Sequence, residues 1–157
     1  LFRSVRLEGR PPNAEGAGAV TLTALVRQAL RMRPDRLILG EVRGAELTDL
    51  LMALNTGHEG GCGTVHANAP DAVPARLEAL GALGGLSRDA LHAQASAALD
   101  ALVHVRRGAG GGRYVSEIAM LRSGADGLVR AVSALVCDES GDARRGPGYP
   151  ALRALIG

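Results

Sequence analysis

LILGEVRGAELTDLLMALNTGHEGGCGTVHAN, Leu37–Asn68, is the stretch on which the reading of this chain turns. A short apolar run, Leu37–Leu39, ends in Gly40-Glu41. A helix-length segment follows, with Leu47, Leu50, Leu51 and Leu54 along one stripe. A second short run, Cys62–His66, ends in a histidine. The 25 positions from Glu41 to His66 accommodate a turn, a helix, a turn and a strand, which is one βαβ crossover. Neighbouring parallel strands lie roughly 4.8 Å apart, so Glu41 and His66 are expected to leave one sheet edge together. In open α/β sheets the crevice outside the carboxyl ends of the strands is where ligands bind. A carboxylate in that position orients an attacking water, and an imidazole beside it hydrogen-bonds a γ-phosphate. Thr64 and Asn68 offer neighbouring donors. The plainer alternatives are a Glu41 salt-bridged to Arg43 or capping the next helix, and a His66 bonded to the backbone of a turn.

Composition narrows the class. At 157 residues the chain is long enough for one domain with a real core. Apolar residues make up 46% but aromatics only 2%, so the core must be built from Leu, Val, Ala and Ile. Net charge is +2, too small to argue for nucleic acid or an acidic membrane surface. All 18 basic residues are Arg. A phosphate loop of the form GxxxxGK[ST] uses its Lys to reach the β- and γ-phosphates, so these residues hold no such loop. No apolar run approaches the roughly 18 residues of a membrane span, and no signal peptide is expected. Cys62 and Cys137 make no disulfide framework, which suits a reducing, cytosolic compartment. The opening LFRSVRLEGRPP begins at Leu1 and reads as mid-chain, so a C-terminal piece of a larger soluble protein is expected.

Around the central stretch, Ser4–Glu8 alternates weakly as a strand, and Gly9–Gly18 is a loop. Leu22, Leu25, Val26, Ala29 and Leu30 follow helical spacing, with Thr21 as N-cap and Pro34 as terminator. Leu37–Leu39 has the look of a strand buried on both faces. Gly57 suits a left-handed cap after the second helix. Asp71 is expected to cap a helix through Ala75–Leu80 with Pro74 in its first turn, Gly81–Gly85 to form a loop, and Ser87 to cap a helix through Ala98. The character changes at Ala101: Ala101–Arg107, Arg113–Leu121 and Leu128–Val136 read as strands joined by hairpin-type connections. Residues 1–136 are therefore expected to form the folded part, and 137–157 a flexible tail with a short terminal helix.

At these residues the chain resembles the traffic ATPases of bacterial type II and type IV secretion, and within them the tight-adherence pilus branch. ALRMRPDRLILGEVRG (Ala29–Gly44) is similar to that family's Walker B region, and MALNTGHEGGCGTVHANAP (Met52–Pro70) to its His box. RLEGRPPNAEG (Arg6–Gly16) and SAALDALVHVRR (Ser96–Arg107) also match in character. The likeness runs from Arg3 to about Val136. It implies part of a RecA-like P-loop NTPase domain, α/β, with a parallel sheet flanked by helices, ending here in an antiparallel segment. It also implies a ring homohexamer that hydrolyses ATP to drive pilus assembly or secretion. Such a motor works in the cytoplasm at the inner face of the cell membrane, against a membrane platform protein, touching the membrane only through partners.

Carried over by residue, Glu41 matches the catalytic glutamate and His66 the His-box histidine. Gly40 stands where most P-loop proteins have a magnesium-binding Asp. Mg2+ would then depend on the phosphate loop and an acidic box that precede this region in the family. Gly40, Thr64 and Asn68 are the candidate nucleotide contacts. Arg43, two residues beyond Glu41, is expected to steer that carboxylate or join the site. Arginines reaching into a neighbour's site are a usual device of ring motors. Arg6, Arg10 and Arg33 are the candidates, against the plainer reading of solvated surface arginines.

Three other readings compete. His58, Cys62 and His66 recur at spacings of four beside Glu59, a pattern that suits zinc on a helix. The glycines at 57, 60, 61 and 63 argue against a helix, so no metal site is expected. A catalytically inert assembly module, unable to bind ATP alone, is the main alternative. Direct nucleic-acid translocation is disfavoured by the near-neutral charge and the scarcity of aromatics for base stacking.

Overall fold

The computed structural model describes residues 3–58 and 60–157. The order is helix α1 (Leu22–Arg31), strand β1 (Ile38–Leu39), α2 (Glu46–Leu54), β2 (Cys62–Gly63), α3 (Val73–Leu83) and α4 (Arg88–Ala98). Strands β3 (Ala101–Arg107), β4 (Arg113–Ser123), β5 (Val129–Cys137) and β6 (Ala143–Arg145) follow, then α5 (Tyr149–Ile156). β1 and β2 form a parallel pair, and β3-β4-β5-β6 an antiparallel sheet in sequence order. The class is thus α/β, as expected.

The helices begin where the sequence says. Thr21 Oγ1 accepts the Ala24 N–H at 3.2 Å and Ser87 Oγ accepts that of Ala90 at 3.3 Å, each satisfying a donor that the helix itself cannot. α1 stops where Arg33 enters the left-handed region at φ 51° before Pro34. Gly57 takes φ 95° after α2. The α2 stripe buries Leu47, Leu50 and Leu51 against Leu39, Val26, Leu77, Leu80 and Leu91 in the main core. Each such leucine contributes about 1.5–3 kcal/mol over an exposed one. Leu121 and Val129 join this core from the antiparallel sheet.

Several expectations are corrected. Ser4–Glu8 forms no strand: the segment is exposed and has no ladder partner, and weak alternation alone cannot hold an extended chain in a sheet. β1 is buried on one face only, with Leu37 and Leu39 at 7% exposure and Ile38 at 68%. The helices that pack on it cover a single side. β2 stops at Gly63, so His66 lies in the connection beyond it. Asp71 makes no side-chain cap; it sits in a 3-10 turn, Pro70–Ala72, that runs into α3. Gly81 belongs to α3, where a Cβ would come within 2.8 Å of Leu91 Cδ1. Glycine is there to let α3 and α4 approach.

The segment after Val136, expected as a tail, is folded. β6 pairs with the end of β5, Leu135↔Arg145 through Cys137↔Ala143. α5 packs Leu152 against Met120 and Ala134 on the sheet, forming a second small core. Arg145 lies over the Tyr149 ring at 4.3 Å, tying β6 to the expected terminal helix. Among the described residues no helix is long and apolar enough to cross a membrane.

His92 links the layers. It is 3% exposed; its Nδ1 accepts the Val129 N–H at 3.0 Å and its Nε2 meets Glu78 Oε1 at 2.8 Å. Because Nδ1 is an acceptor, the ring proton sits on Nε2 and is donated to Glu78. One imidazole thereby joins α4 to both α3 and β5.

Candidate active site

The parallel pair decides what meets at its carboxyl end. Ile38 pairs with Cys62 and Leu39 with Gly63. The ladder continues past the strands: Thr64 N–H donates to Leu39 O at 3.3 Å, and Val42 N–H to Thr64 O at 2.8 Å. Gly61 packs so closely that a Cβ would stand 2.7 Å from Leu37 O. Gly61 thus serves the approach of the two strands. Glu41 and His66 consequently emerge together, with Glu41 Oε1 3.0 Å from His66 Nε2.

Arg43 takes the other carboxylate oxygen, its guanidinium 2.5 Å from Oε2. The Arg43 hydrogen bond is the main reason that Glu41 titrates below its ordinary value; desolvation opposes it, and the charges of Arg43 and His66 add to the lowering. Arg43 is in turn held up by Glu41. Glu41 is about a quarter exposed, whereas His66 is 85% exposed. A carboxylate whose ionised form is favoured takes a proton less readily and accepts hydrogen bonds well. Its chemical aptitude is to orient a water.

The turn between Glu41 and α2 is fixed from the helix. Glu46, buried at the start of α2, folds back so that Oε1 accepts the N–H groups of Arg43 at 2.6 Å and Gly44 at 2.9 Å. Nothing in the spacing of the sequence marked Glu46 out. Thr64, expected to offer a donor to phosphate, donates its hydroxyl to Gly40 O instead. It stitches the end of β1 to the end of β2.

Asn68 and His66 line an open cleft of about 380 Å3 with Ala67, Ala72 and Arg76. A larger groove of about 660 Å3 runs along β2 and takes in Thr64 but neither Glu41 nor His66. Among the described residues, Arg6, Arg10 and Arg33 form no ion pair or side-chain hydrogen bond with Glu41 or His66. Arg6 pairs with Glu8, and Arg10 Nε donates to Gly18 O at 3.0 Å, closing the loop whose ends pair at Arg10 and Val20. Arg33 sits in the left-handed turn after α1. Glu59, weighed as a zinc ligand, lies outside the described residues. Among the described residues no three His, Cys, Asp or Glu side chains are grouped to hold a metal ion.

Residues 4–145 match the model of the type II/IV secretion system protein family, and the chain belongs to that family. It is 64% identical over 129 residues to a Mycobacterium tuberculosis protein named for conjugal transfer, covering 82% of this chain and 36% of that protein. It is 39% identical over 99 residues to the conjugal transfer protein TrbB of Rhizobium radiobacter, 63% of this chain and 30% of the relative. Among solved structures it is similar to the VirB11 ATPase of the Brucella suis type IV secretion system, determined in complex with sulphate. The TM-score is 0.59 and the identity 31%, over 64% of this chain and 32% of that one. The chain therefore spans about a third of the length of these proteins. The relatives are named for conjugal transfer and type IV secretion and do not single out the tight-adherence branch.

Proposed function

We propose that the chain is part of an ATP-hydrolysing motor subunit of a secretion, conjugation or tight-adherence pilus system. In this reading Gly40-Glu41 ends the Walker B strand and His66 belongs to the His box. The observation that carries it is the contact of Glu41 with His66 at the carboxyl edge of a parallel pair, in a chain similar to a secretion-system ATPase. Glu41 accepts a hydrogen bond from the attacking water and aims its oxygen at the γ-phosphorus. The new P–O bond forms as the bond to the ADP oxygen breaks, the water's proton passes to an oxygen of the phosphate produced, and His66 stays hydrogen-bonded to the transferred phosphoryl group. The protein's part is positioning and charge stabilisation.

Binding the triphosphate requires groups beyond these. With no lysine in the sequence, the phosphate loop comes from outside these residues. Among the described residues no three His, Cys, Asp or Glu side chains are grouped to hold a metal ion, so the main Mg2+ ligands of this reading also come from outside these residues, and no step is assigned to the ion here. Assembly as a ring homohexamer against a membrane platform protein, at the cytoplasmic face of the membrane, belongs to the same proposal. Arg6, Arg10 and Arg33 are its candidate interface residues.

The test is Glu41→Gln in the full-length protein. The amide keeps the size of the side chain and removes the charge that orients water. Steady-state turnover is expected to fall by about a hundredfold or more while ATP binding persists. Turnover near that of the parent protein would remove Glu41 from the reaction.

A further inference from the structure

The short link Val42–Ala45, between Glu41 and helix α2, is anchored at both ends. At its start Val42 is 4% exposed, and its N–H donates to Thr64 O at 2.8 Å. From its other end Glu46 turns back, and its Oε1 accepts the N–H groups of Arg43 and Gly44. Glu46 is 8% exposed, and a carboxylate withdrawn from water is costly unless it is hydrogen-bonded. The start of a helix also favours its charge. Asp49, the other acidic residue in the first turn of α2, is taken by Arg27. Gly44 leaves room for the return: a Cβ there would stand 3.3 Å from Glu46 Oε2.

What this link carries is Arg43. Its side chain is 73% exposed, so packing does little to fix it, and its guanidinium reaches Glu41 Oε2. An ion pair between exposed side chains is weak and loosely placed when the backbone beneath it is free. Here the partners are neighbours but one in sequence. The backbone between and after them is held by Thr64 on one side and by Glu46 on the other. The pair is accordingly placed from the main chain. His66 Nε2 meets the other oxygen, Oε1. The direction of the carboxylate, and of the lone pairs left for water, therefore follows from where Arg43 stands.

We infer that Glu46 is a positioning residue for the attack of water: by holding the Arg43 and Gly44 amides it places the Arg43 guanidinium, and through it the Glu41 carboxylate. Glu46 itself touches neither the water nor the phosphate. This rests on the ATPase reading above and adds a residue that acts through Arg43. The plainer role, stabilising the first turn of α2, predicts a loss of folding stability and no effect that depends on Arg43.

The test separates the two roles. Steady-state kcat and KM for ATP are measured in the full-length protein for Glu46→Ala, Arg43→Ala and the double variant, with denaturant unfolding as the check that each is folded. Glu46→Ala is expected to lower kcat by about tenfold, since a small misplacement of a reacting group is enough for that, with KM changed by less than about twofold. Arg43→Ala lowers kcat by a similar factor. Adding Glu46→Ala to it costs less than about threefold more, because residues that act as one unit are not additive. Glu46→Gln, which keeps a carbonyl oxygen for the two N–H groups, recovers most of the rate; Glu46→Asp, one methylene shorter, does not. The parent rate in Glu46→Ala or in Arg43→Ala overturns the inference. So does a loss from Glu46→Ala that is equally large with and without Arg43. If Glu46→Ala does not fold, Glu46→Asp takes its place and is read by the same criteria. Loss of turnover in Glu41→Gln together with the parent rate in Glu46→Ala retains the ATPase reading and discards only the role of Glu46. Full turnover in Glu41→Gln discards both.

Discussion

Strands β3 to β6 pair in chain order as an antiparallel sheet, long in β3 to β5 and only three residues in β6, with α5 packed on one face. β1 and β2 pair over Ile38–Leu39 and Cys62–Gly63 alone, in parallel, with Ile38 68% exposed. Parallel sheets are normally covered on both faces, whereas antiparallel ones tolerate water on one. The part that carries the candidate chemistry is therefore the less complete one, whereas the antiparallel sheet packs α5 on one face and joins the main core through Leu121 and Val129. Glu41, His66 and Arg43 are held by one another and by short loops, on a scaffold secured mainly by leucines of α2. Substitutions in the two regions should separate accordingly.

The largest contrast is expected at His66. His66→Ala in the full-length protein should slow ATP turnover by tens of times, yet leave the thermal midpoint unchanged, because the ring is 85% exposed. A fall in midpoint equal to that of a core variant would make His66 structural and erase the contrast. His92→Ala is the converse case. It strips partners from Glu78 and the Val129 N–H and opens a small void, for a loss of about 2–3 kcal/mol. Denaturant unfolding measures it; the remaining folded protein should bind ATP as before.

Gly61→Ala probes the parallel pair directly. Its Cβ would meet Leu37 O and Leu54 Cδ2, each at 2.7 Å, and the carbonyl cannot step aside without breaking the ladder. A cost of about 1–3 kcal/mol is expected, with turnover reduced because the path to His66 shifts. Chemical denaturation and activity on one preparation check both. Wild-type values in each would show that β1 and β2 need not lie so close.

The smallest effect is in acid. The His92 and Arg88 hydrogen bonds hold the Glu78 carboxyl below its ordinary 4.5. The folded state thus favours the ionised form. This contribution is complete above pH 4.5 and fades as pH falls through the lower folded value. The midpoint of the parent protein should drop more between pH 5 and about pH 3 than that of His92→Ala. Parallel curves would show that the pair contributes nothing.

What could be read in advance was what local chemistry dictates. Thr21, Ser87 and Pro34 mark helix ends through bonds made or forbidden within a few residues, and they do so here. The βαβ spacing put Glu41 and His66 at one edge because a crossover leaves little alternative. Ser4–Glu8 was illegible for the opposite reason: a strand exists only with a partner, and alternation does not supply one. Residues 137–157 look like linker by composition, yet β6 gains its place from the edge of β5, and α5 from an apolar face that only the folded sheet presents. Glu46 reaching back to the turn and Arg76 lining the cleft with His66 also depend on three-dimensional placement.

The central claim, that Glu41 and His66 converge on a triphosphate, is tested most directly by a structure of the full-length protein with Mg2+ and a non-hydrolysable ATP analogue. The account predicts the His66 ring within hydrogen-bond reach of the γ-phosphate, about 2.6–3.2 Å, and the Glu41 carboxylate one water away from it. A nucleotide whose γ-phosphate lies beyond the reach of both side chains would contradict it.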